Sequence, residues 1–138
     1  MIVMAFRHGL RAVELIDLRW EQIDFQTGTL KVRRVNNGLT STHVILDDEL
    51  RALRRLRREQ KPKFKFVFTS QLGERFTQAG FARMIGRAGV KAGLRFKPHP
   101  HMLRHACGYA LAEKGYDARA LQLYLGHRGA QYAARYKA

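Results

Sequence analysis

The chain has 138 residues, 46% of them hydrophobic, and a formal net charge of +15. This length and apolar content predict one domain with a hydrophobic core and argue against a disordered chain. The 26 Lys and Arg residues against 11 Asp and Glu residues favour a polyanionic partner, most often nucleic acid. No stretch combines a basic face with a long apolar one, which disfavours a membrane partner.

The single cysteine and the opening residues bear on where the protein works. Cys107 has no second cysteine with which to form an internal disulfide, which fits a reducing, cytoplasmic location. The apolar residues 1–6 are too short for a signal peptide or a membrane span. We expect them to belong to a helix, as in a piece or a minimal version of a longer architecture.

The first half of the chain predicts two helices and a hairpin. Gly9 ends the opening helix, and residues 11–20 form an amphipathic helix. The residues expected to face inward are Leu10, Val13, Ile16 and Leu18. Two β-rich runs, residues 29–35 and 40–46, flank Asn36-Asn37-Gly38, which favours a hairpin because both residue types tolerate positive φ.

The second half is predicted to be mostly helical. A helix capped by Asp47 and Asp48 runs to about residue 60, and residues 64–69 form a third strand. Three more helices are predicted over residues 77–92, 102–113 and 118–125, with a last helix or turn over residues 131–136. The first of these four regions, residues 77–92, places Phe81, Met84, Ile85 and Val90 inward. The predicted fold class is mainly α with a small three-stranded antiparallel β-sheet.

The last forty residues hold the groups that point to chemistry. They contain His99-Pro100-His101-Met102-Leu103-Arg104-His105, then Leu125-Gly126-His127, then Tyr136 nine residues later. A tyrosine can attack phosphorus, but its phenol, with a pKa of about 10, is a poor nucleophile near neutral pH. It needs cations around the phosphate and groups that accept protons, and Arg and His supply both. The pattern therefore predicts phosphoryl transfer on a polyanion.

Each part of this pattern also has a plainer interpretation. His101 and Arg104 share one face at a helix start, where free N–H groups suit a phosphate, but a basic helix start with a capping histidine fits equally. His101, His105 and Cys107 have a zinc-like spacing without the paired cysteines or intervening Glu of a zinc site. Tyr136 alone fits an interfacial packing residue.

Other basic residues are candidates for contacting a phosphate backbone. Arg11 lies three residues before Glu14, the spacing of a helical ion pair. The predicted DNA-binding residues are Arg33, Arg34, Arg51, Arg54, Arg55 and Arg128. Such contacts position a protein on DNA without reading its sequence. There is no Gly-rich phosphate loop and no acidic cluster suited to Mg²⁺, so the chemistry falls to cations and a protein nucleophile.

Taken together, these pieces resemble the tyrosine recombinase (phage integrase) family, especially its short fimbrial phase-variation type. The matching stretches are His8-Gly9-Leu10-Arg11-Ala12-Val13-Glu14-Leu15, the hairpin from Gly38 to His43, the His99–His105 run, and Leu125-Gly126-His127-Arg128 leading to Tyr136. They cover nearly the whole chain in the family's order. Each piece alone is weak, but their combination is specific.

The resemblance implies a catalytic domain that cuts and rejoins DNA without a metal or another cofactor. Arg11 and Arg104 would clamp the scissile phosphate, and His101 would position it and transfer protons. His127 would hydrogen-bond the phosphate, and Tyr136 would form a 3′-phosphotyrosyl bond. Glu14 would support the packing of the site. The implied partner is double-stranded DNA, bound by four subunits, in a bacterial cytoplasm.

The chain departs from the family pattern in two places. The hairpin position where the family has a lysine falls on Asn36, whose amide cannot donate a proton as an ammonium does. Residues 1–138 are expected to be a single catalytic domain without the usual N-terminal core-binding domain. Two alternatives therefore stay open: a DNA-binding relative with impaired cleavage, and a basic nucleic-acid-binding module with no active site.

Overall fold

The computed structural model describes residues 1–34, 40–61, 63–70 and 72–126. Six helices lie within these ranges: α1 (Ile2–His8), α2 (Ala12–Ile16), α3 (Asp47–Glu59), α4 (Gln78–Lys91), α5 (Pro100–Glu113) and α6 (Ala118–Leu125). A short 3₁₀ turn covers Trp20–Gln22. Three strands, β1 (Ile23–Asp24), β2 (Thr29–Val32) and β3 (Ser41–Val44), pair antiparallel in the order β1-β2-β3. The predicted fold class is confirmed.

The membership of the sheet corrects one sequence-based prediction. Residues 64–69 were expected to be the third strand, but β1 holds that place, and Phe66 makes only an isolated bridge with Arg19. The side-chain amide of Gln60 donates to the carbonyls of Phe66 (2.9 Å) and Val67 (3.3 Å). Those carbonyls are therefore occupied, and the ladder ends after one bridge. The β-like composition of the segment reflects its place in the core, where Val67 is fully buried.

The helix boundaries follow local chemistry. Thr77 caps α4 by accepting from the Gly80 N–H at 2.9 Å, and Asp117 caps α6 by accepting from the Ala120 N–H at 2.8 Å. The helix predicted over residues 11–20 is shorter: α2 ends at Ile16. Asp47 lies inside the first turn of α3, with Leu46 at the capping position. The hairpin turn, residues 35–39, lies outside the described residues.

Most of the apolar side chains form one core between the sheet, α1 to α4 and the segment after α3. Its fully buried members include Leu10, Leu15, Leu30, Val67 and Phe81. Two residues predicted to face inward do not: Val13 is half-buried, and Val90 is 80% exposed because it lies near the end of α4, past the core. A second, smaller cluster of Cys107, Leu121 and Leu125 joins α5 to α6.

Gly9 connects α1 to α2 through a close approach that needs glycine. It ends α1 with a positive φ of 60°, in the left-handed region. A Cβ at this position would collide with the side chain of Leu125 in α6. The backbone of Gly9 therefore lies directly against the end of α6, and this contact brings together the two segments that carry Arg11 and His127.

Candidate active site

A cleft of about 520 Å³ opens where the starts of α2, α4 and α5 meet. Its basic lining residues are Arg11, His99 and His101. The other lining residues are Ala12, Val13, Gln78, Ala79, Ala82 and Pro100. Two of the predicted catalytic residues, which come from opposite ends of the chain, therefore share one concavity.

Glu14 holds Arg11 in place at the edge of this cleft. One Glu14 carboxylate oxygen accepts from the Arg11 backbone N–H at 2.8 Å, and the other accepts from the Arg11 guanidinium at 3.2 Å. The Glu14 side chain is 1% exposed, whereas that of Arg11 is 32% exposed. The predicted ion pair is confirmed. It fixes the cation from the inside and leaves its outer side accessible to a ligand.

Arg104 lies one helical turn after His101 in α5 and is buried in the interior, outside the lining of the cleft. It is only 2% exposed. Its guanidinium donates from Nη1 to the Gly9 carbonyl, two residues before Arg11, and from Nη2 to the Leu125 carbonyl at 2.9 Å. Arg104 thus joins α5 to the loop that carries Arg11 and to the last turn of α6.

The charges around His101 show that these groups act on one another. Partial desolvation lowers the pKa of His101, and positive charges lower it further. Those charges belong to His105, Arg104, His99 and Arg11. The His101 and His105 rings meet edge to face, with centroids 4.3 Å apart. His101 therefore favours the neutral form, which can accept a proton.

The sequence profile of the phage integrase family matches residues 1–138. The chain belongs to the phage integrase family. It is 41% identical over 143 residues to the type 1 fimbriae regulatory protein FimE of Escherichia coli strain K12, covering 100% of this chain and 72% of FimE. The predicted family and function class, site-specific recombination by a tyrosine recombinase, are confirmed at this level.

Solved structures agree on the fold. XerA recombinase superposes with a TM-score of 0.85 at 28% identity, covering 97% of this chain and 50% of XerA. A Tn1549 transposon integrase in complex with transposon right-end DNA gives a TM-score of 0.85 at 23% identity, covering 99% of this chain and 53% of that integrase. The chain thus spans about half the length of these solved recombinases.

Four predicted residues of this phage integrase domain lie outside the described residues. They are Asn36, His127, Arg128 and Tyr136. Their roles stay predictions. The described part of the site is the cleft with Arg11 and His101, together with Arg104 and the end of α6 at Leu125.

The prediction that Arg34 contacts DNA is wrong for this structure. Its side chain is 0% exposed, and Nη1 donates to Glu14 at 2.8 Å. The neighbouring Arg33 points outward instead. The Arg33 side chain is 56% exposed, lies 3.4 Å from Glu21, and stays a candidate for a phosphate contact.

The predicted DNA-binding residues of α3 are exposed but lie away from the cleft. Arg54 donates to the Phe25 carbonyl at 3.2 Å and lies over the Phe25 ring, and Arg55 pairs with Glu59 at 3.0 Å. Arg51 is also exposed. No residue of α3 lines the cleft. Any contact that these arginines make with DNA therefore lies outside the cleft.

The zinc-like spacing does not produce a shared site. Cys107 Sγ lies 3.7 Å from the Arg7 carbonyl, and burial raises the pKa of this thiol to about 11. Among the described ranges, no three His, Cys, Asp or Glu side chains are grouped to hold a metal ion. In the same ranges, no helix is both long and apolar enough to cross a bilayer.

Sequence reasoning missed a buried polar chain that ties the hairpin to α1, α3 and α6. His8 Nδ1 lies 3.0 Å from His43 Nδ1, and His8 Nε2 lies 3.1 Å from a Glu49 carboxylate oxygen. His43 Nε2 donates to the Tyr124 carbonyl at 3.1 Å. Burial, followed by the charges of His8 and Arg34, lowers the pKa of His43 to about 3. No spacing rule links these residues, since they are distant in the sequence.

The partners of these rings assign their protons. The Tyr124 carbonyl only accepts, so His43 Nε2 carries the proton and neutral His43 accepts at Nδ1. Burial raises the pKa of Glu49, but hydrogen bonds from His8 and Arg7 outweigh it, and the pKa lies below its usual value. The two ring nitrogens of His8 thus face Nδ1 of His43 and a carboxylate oxygen of Glu49.

Proposed function

We propose that this chain cuts and rejoins double-stranded DNA at specific sites through a 3′-phosphotyrosyl intermediate, with Tyr136 as the nucleophile. The observation that carries the proposal is that Arg11 and His101, from segments far apart in the sequence, line one cleft, while buried Arg104 bonds to the Gly9 carbonyl in the loop that carries Arg11. A non-catalytic basic module has no reason to assemble this set of groups.

The arginines supply electrostatic stabilisation of the transition state. A phosphodiester under attack becomes pentacoordinate and gains negative charge on its non-bridging oxygens. Arg11 is held by Glu14, and Arg104 by two backbone carbonyls, before any DNA arrives. Donors fixed in advance cost no reorganisation during the reaction, and each one contributes about 10²- to 10³-fold to the rate.

His101 is suited to accept the phenol proton. As the Tyr136 oxygen forms its bond to phosphorus, the phenol proton passes to the neutral imidazole of His101. The lowered pKa of His101 keeps the imidazole neutral near pH 7. The phosphorus–O5′ bond then breaks and the DNA leaves a free 5′-hydroxyl. The phosphotyrosyl ester retains the bond energy, so attack by a 5′-hydroxyl rejoins the strand and releases the tyrosine.

The leaving 5′-oxygen also needs a proton, and the hairpin supplies a poor donor. Asn36 is an amide, and Arg34, its near neighbour in the sequence, is buried against Glu14. We propose that water protonates the 5′-oxygen, which makes cleavage slower than it would be with a lysine at this position. His127 completes the phosphate contacts.

The assembly follows from the family. FimE is a protein of Escherichia coli, and the Tn1549 integrase structure contains DNA. We propose that this chain works in a bacterial cytoplasm as four copies around two duplexes. The net charge of +15 favours the duplex as its partner.

A trapping experiment tests the proposal. The substrate is a library of nicked duplexes with a randomised centre. Cleavage releases the short fragment that carries the 5′-hydroxyl, so the strand is not rejoined and covalent adducts accumulate. SDS-resistant adducts are recovered, and the bound duplexes are sequenced. We expect wild-type protein to yield adducts on a defined sequence, with the DNA joined to Tyr136.

The matched variants are Tyr136→Phe and Tyr132→Phe, which removes the hydroxyl of the tyrosine four residues earlier. The first removes the proposed nucleophile and is expected to abolish the adduct, whereas the second keeps it. The contradicting outcome is duplex binding in a gel-shift assay without any adduct, for both the wild-type protein and the Asn36→Lys variant. The chain would then be a DNA-binding relative without cleavage, and the proposal fails.

A further inference from the structure

Arg34 is a buried cation that the proposed chemistry does not use. It lies two residues after Val32, the last residue of β2, and its side chain is 0% exposed. Desolvation lowers its pKa, and the carboxylate of Glu14 opposes that effect. Removing a guanidinium from water costs several kcal/mol unless good hydrogen bonds replace the solvent. The burial of this charge therefore depends on the hydrogen bonds that the guanidinium makes.

The hydrogen bonds of Arg34 lead to both segments that carry the proposed catalytic groups. Nη1 donates to the Gly9 carbonyl at 3.1 Å and to Glu14 at 2.8 Å. Nη2 donates to the His8 carbonyl at 3.0 Å and to the Tyr124 carbonyl at 2.7 Å. Glu14 is the residue that orients Arg11, and Tyr124 lies three residues before His127.

Three of the four acceptors are carbonyls at two helix ends. His8 and Gly9 end α1, and Tyr124 lies in the last turn of α6, where carbonyls have no partner within the helix. The negative end of each helix dipole also favours a cation. Arg104 makes a parallel connection, from the Gly9 carbonyl to that of Leu125. Two guanidiniums thus join the C-terminal ends of α1 and α6.

The exit of the chain from α6 is fitted to the Arg34 side chain. Gly126 has a positive φ of 72°. A Cβ at Gly126 would collide with Cγ, Cδ and Nε of Arg34, so the backbone here lies directly on the arginine. The backbone of Gly126, at the end of α6, is therefore fitted against a side chain from the hairpin.

We propose that Arg34 is a positioning residue for DNA cleavage: its guanidinium sets the Arg11 segment and the exit of α6 at a fixed separation. This inference rests on the proposed function. A planar fork makes four bonds in fixed directions, and an ammonium at the end of a lysine cannot reproduce them. Misplacing reacting groups by about 1 Å costs about 10²-fold in rate.

The test compares Arg34→Lys with Arg75→Lys in the full chain. Arg75 is the control because it is an exposed arginine, paired with Asp17, that belongs to neither the proposed site nor the predicted DNA-binding residues. We expect Arg34→Lys to lower the single-turnover rate of adduct formation by about 10- to 100-fold at saturating duplex. Duplex affinity should stay within about twofold, because Arg34 does not face solvent. Arg75→Lys should leave the adduct rate unchanged.

A second readout separates positioning from stability. Adduct rates are measured well below each melting temperature, and the folded fraction is checked by circular dichroism. In ¹⁵N-resolved NMR spectra, Arg34→Lys is expected to shift the amide signals of both Arg11 and Gly126, and Arg75→Lys neither. Arg34→Gln, which buries no charge, takes the place of Arg34→Lys if the latter fails to fold.

The outcomes are distinct. If folded Arg34→Lys forms adducts at the wild-type rate, Arg34 only packs, and this inference is overturned while the proposed function stands. A wild-type protein that forms no adduct contradicts the proposed function, and this inference falls with it. A lowered rate with both amide shifts supports Arg34 as the positioning residue.

Discussion

The arginines around the cleft and the arginines of α3 have the same chemistry but different environments. Arg104 is 2% exposed and donates to two carbonyls, and Arg11 is held by a carboxylate from inside the protein. Arg54 and Arg55, in contrast, lie on an open helix face with one weak partner each. Fixed cations stabilise a transition state, whereas mobile surface cations attract a polyanion from a distance. Burial and partners, not residue type, separate the two roles.

Replacing Arg104 is expected to have the largest effect on the rate of adduct formation. Arg104→Met removes a transition-state donor and leaves the Gly9 and Leu125 carbonyls without its bonds. We expect adduct formation to fall by about 10³-fold and the free energy of unfolding to fall by about 1–3 kcal/mol. Single-turnover trapping and urea unfolding measure the two effects. A decrease below tenfold would place Arg104 outside the chemistry.

Restoring an ammonium at the hairpin is expected to have the next largest effect, in the opposite direction. Asn36→Lys supplies a proton donor for the leaving 5′-oxygen, and general acid catalysis contributes about 10²-fold or more. The rate of adduct formation should rise accordingly at neutral pH. Asn37→Lys is the control, because it adds the same charge one position away. Equal gains in both variants would indicate charge attraction and not proton transfer.

Neutralising Glu14 tests how Arg11 is held. Glu14→Gln keeps the shape but removes the anion that Arg11 and Arg34 share. We expect a loss of about 3–5 kcal/mol in unfolding free energy, since a buried cation loses its partner, and a fall in adduct rate of about 10- to 100-fold. Asp17→Asn, which alters an exposed pair with Arg75, should change stability by less than about 1 kcal/mol.

Acidification should destabilise the protein through His43. Its folded-state pKa, about 3, lies below its ordinary value, so the folded state binds fewer protons than the unfolded state. The stability that neutral His43 contributes is fully present above pH 6.5 and is lost as the pH falls from 6.5 towards 3. The slope from this group is at most about 1.4 kcal/mol per pH unit. Urea unfolding between pH 7 and pH 4 measures it, and His43→Gln should flatten the dependence.

The α3 arginines are expected to have the smallest effect on chemistry. The triple variant Arg51→Ala, Arg54→Ala, Arg55→Ala should leave the adduct rate at saturating duplex within about twofold, because these residues do not line the cleft. If each contacts a phosphate, the salt dependence of duplex binding falls by about one unit per arginine. An unchanged salt slope would remove them from the DNA-binding surface.

Local chemistry made much of the fold predictable. The Thr77 and Asp117 caps, the glycines after α1 and α6, and the paired β-rich runs each act over a few residues, and the structure has elements at all of these places. The third strand, β1, could not be found this way. The sequence favoured residues 64–69 for its place, but the carbonyls of Phe66 and Val67 accept from the Gln60 amide, a contact that no local pattern specifies.

The sequence by itself determined the family, the helical fold class and the identity of the candidate catalytic residues, because short motifs in a fixed order carry them. Only the tertiary structure decided which cations are fixed and which are free. Arg33 and Arg34 are neighbours of one type, yet one faces solvent and the other lies against Glu14 and the ends of α1 and α6. Burial and hydrogen-bond partners arise from contacts between distant segments, and no local pattern specifies them.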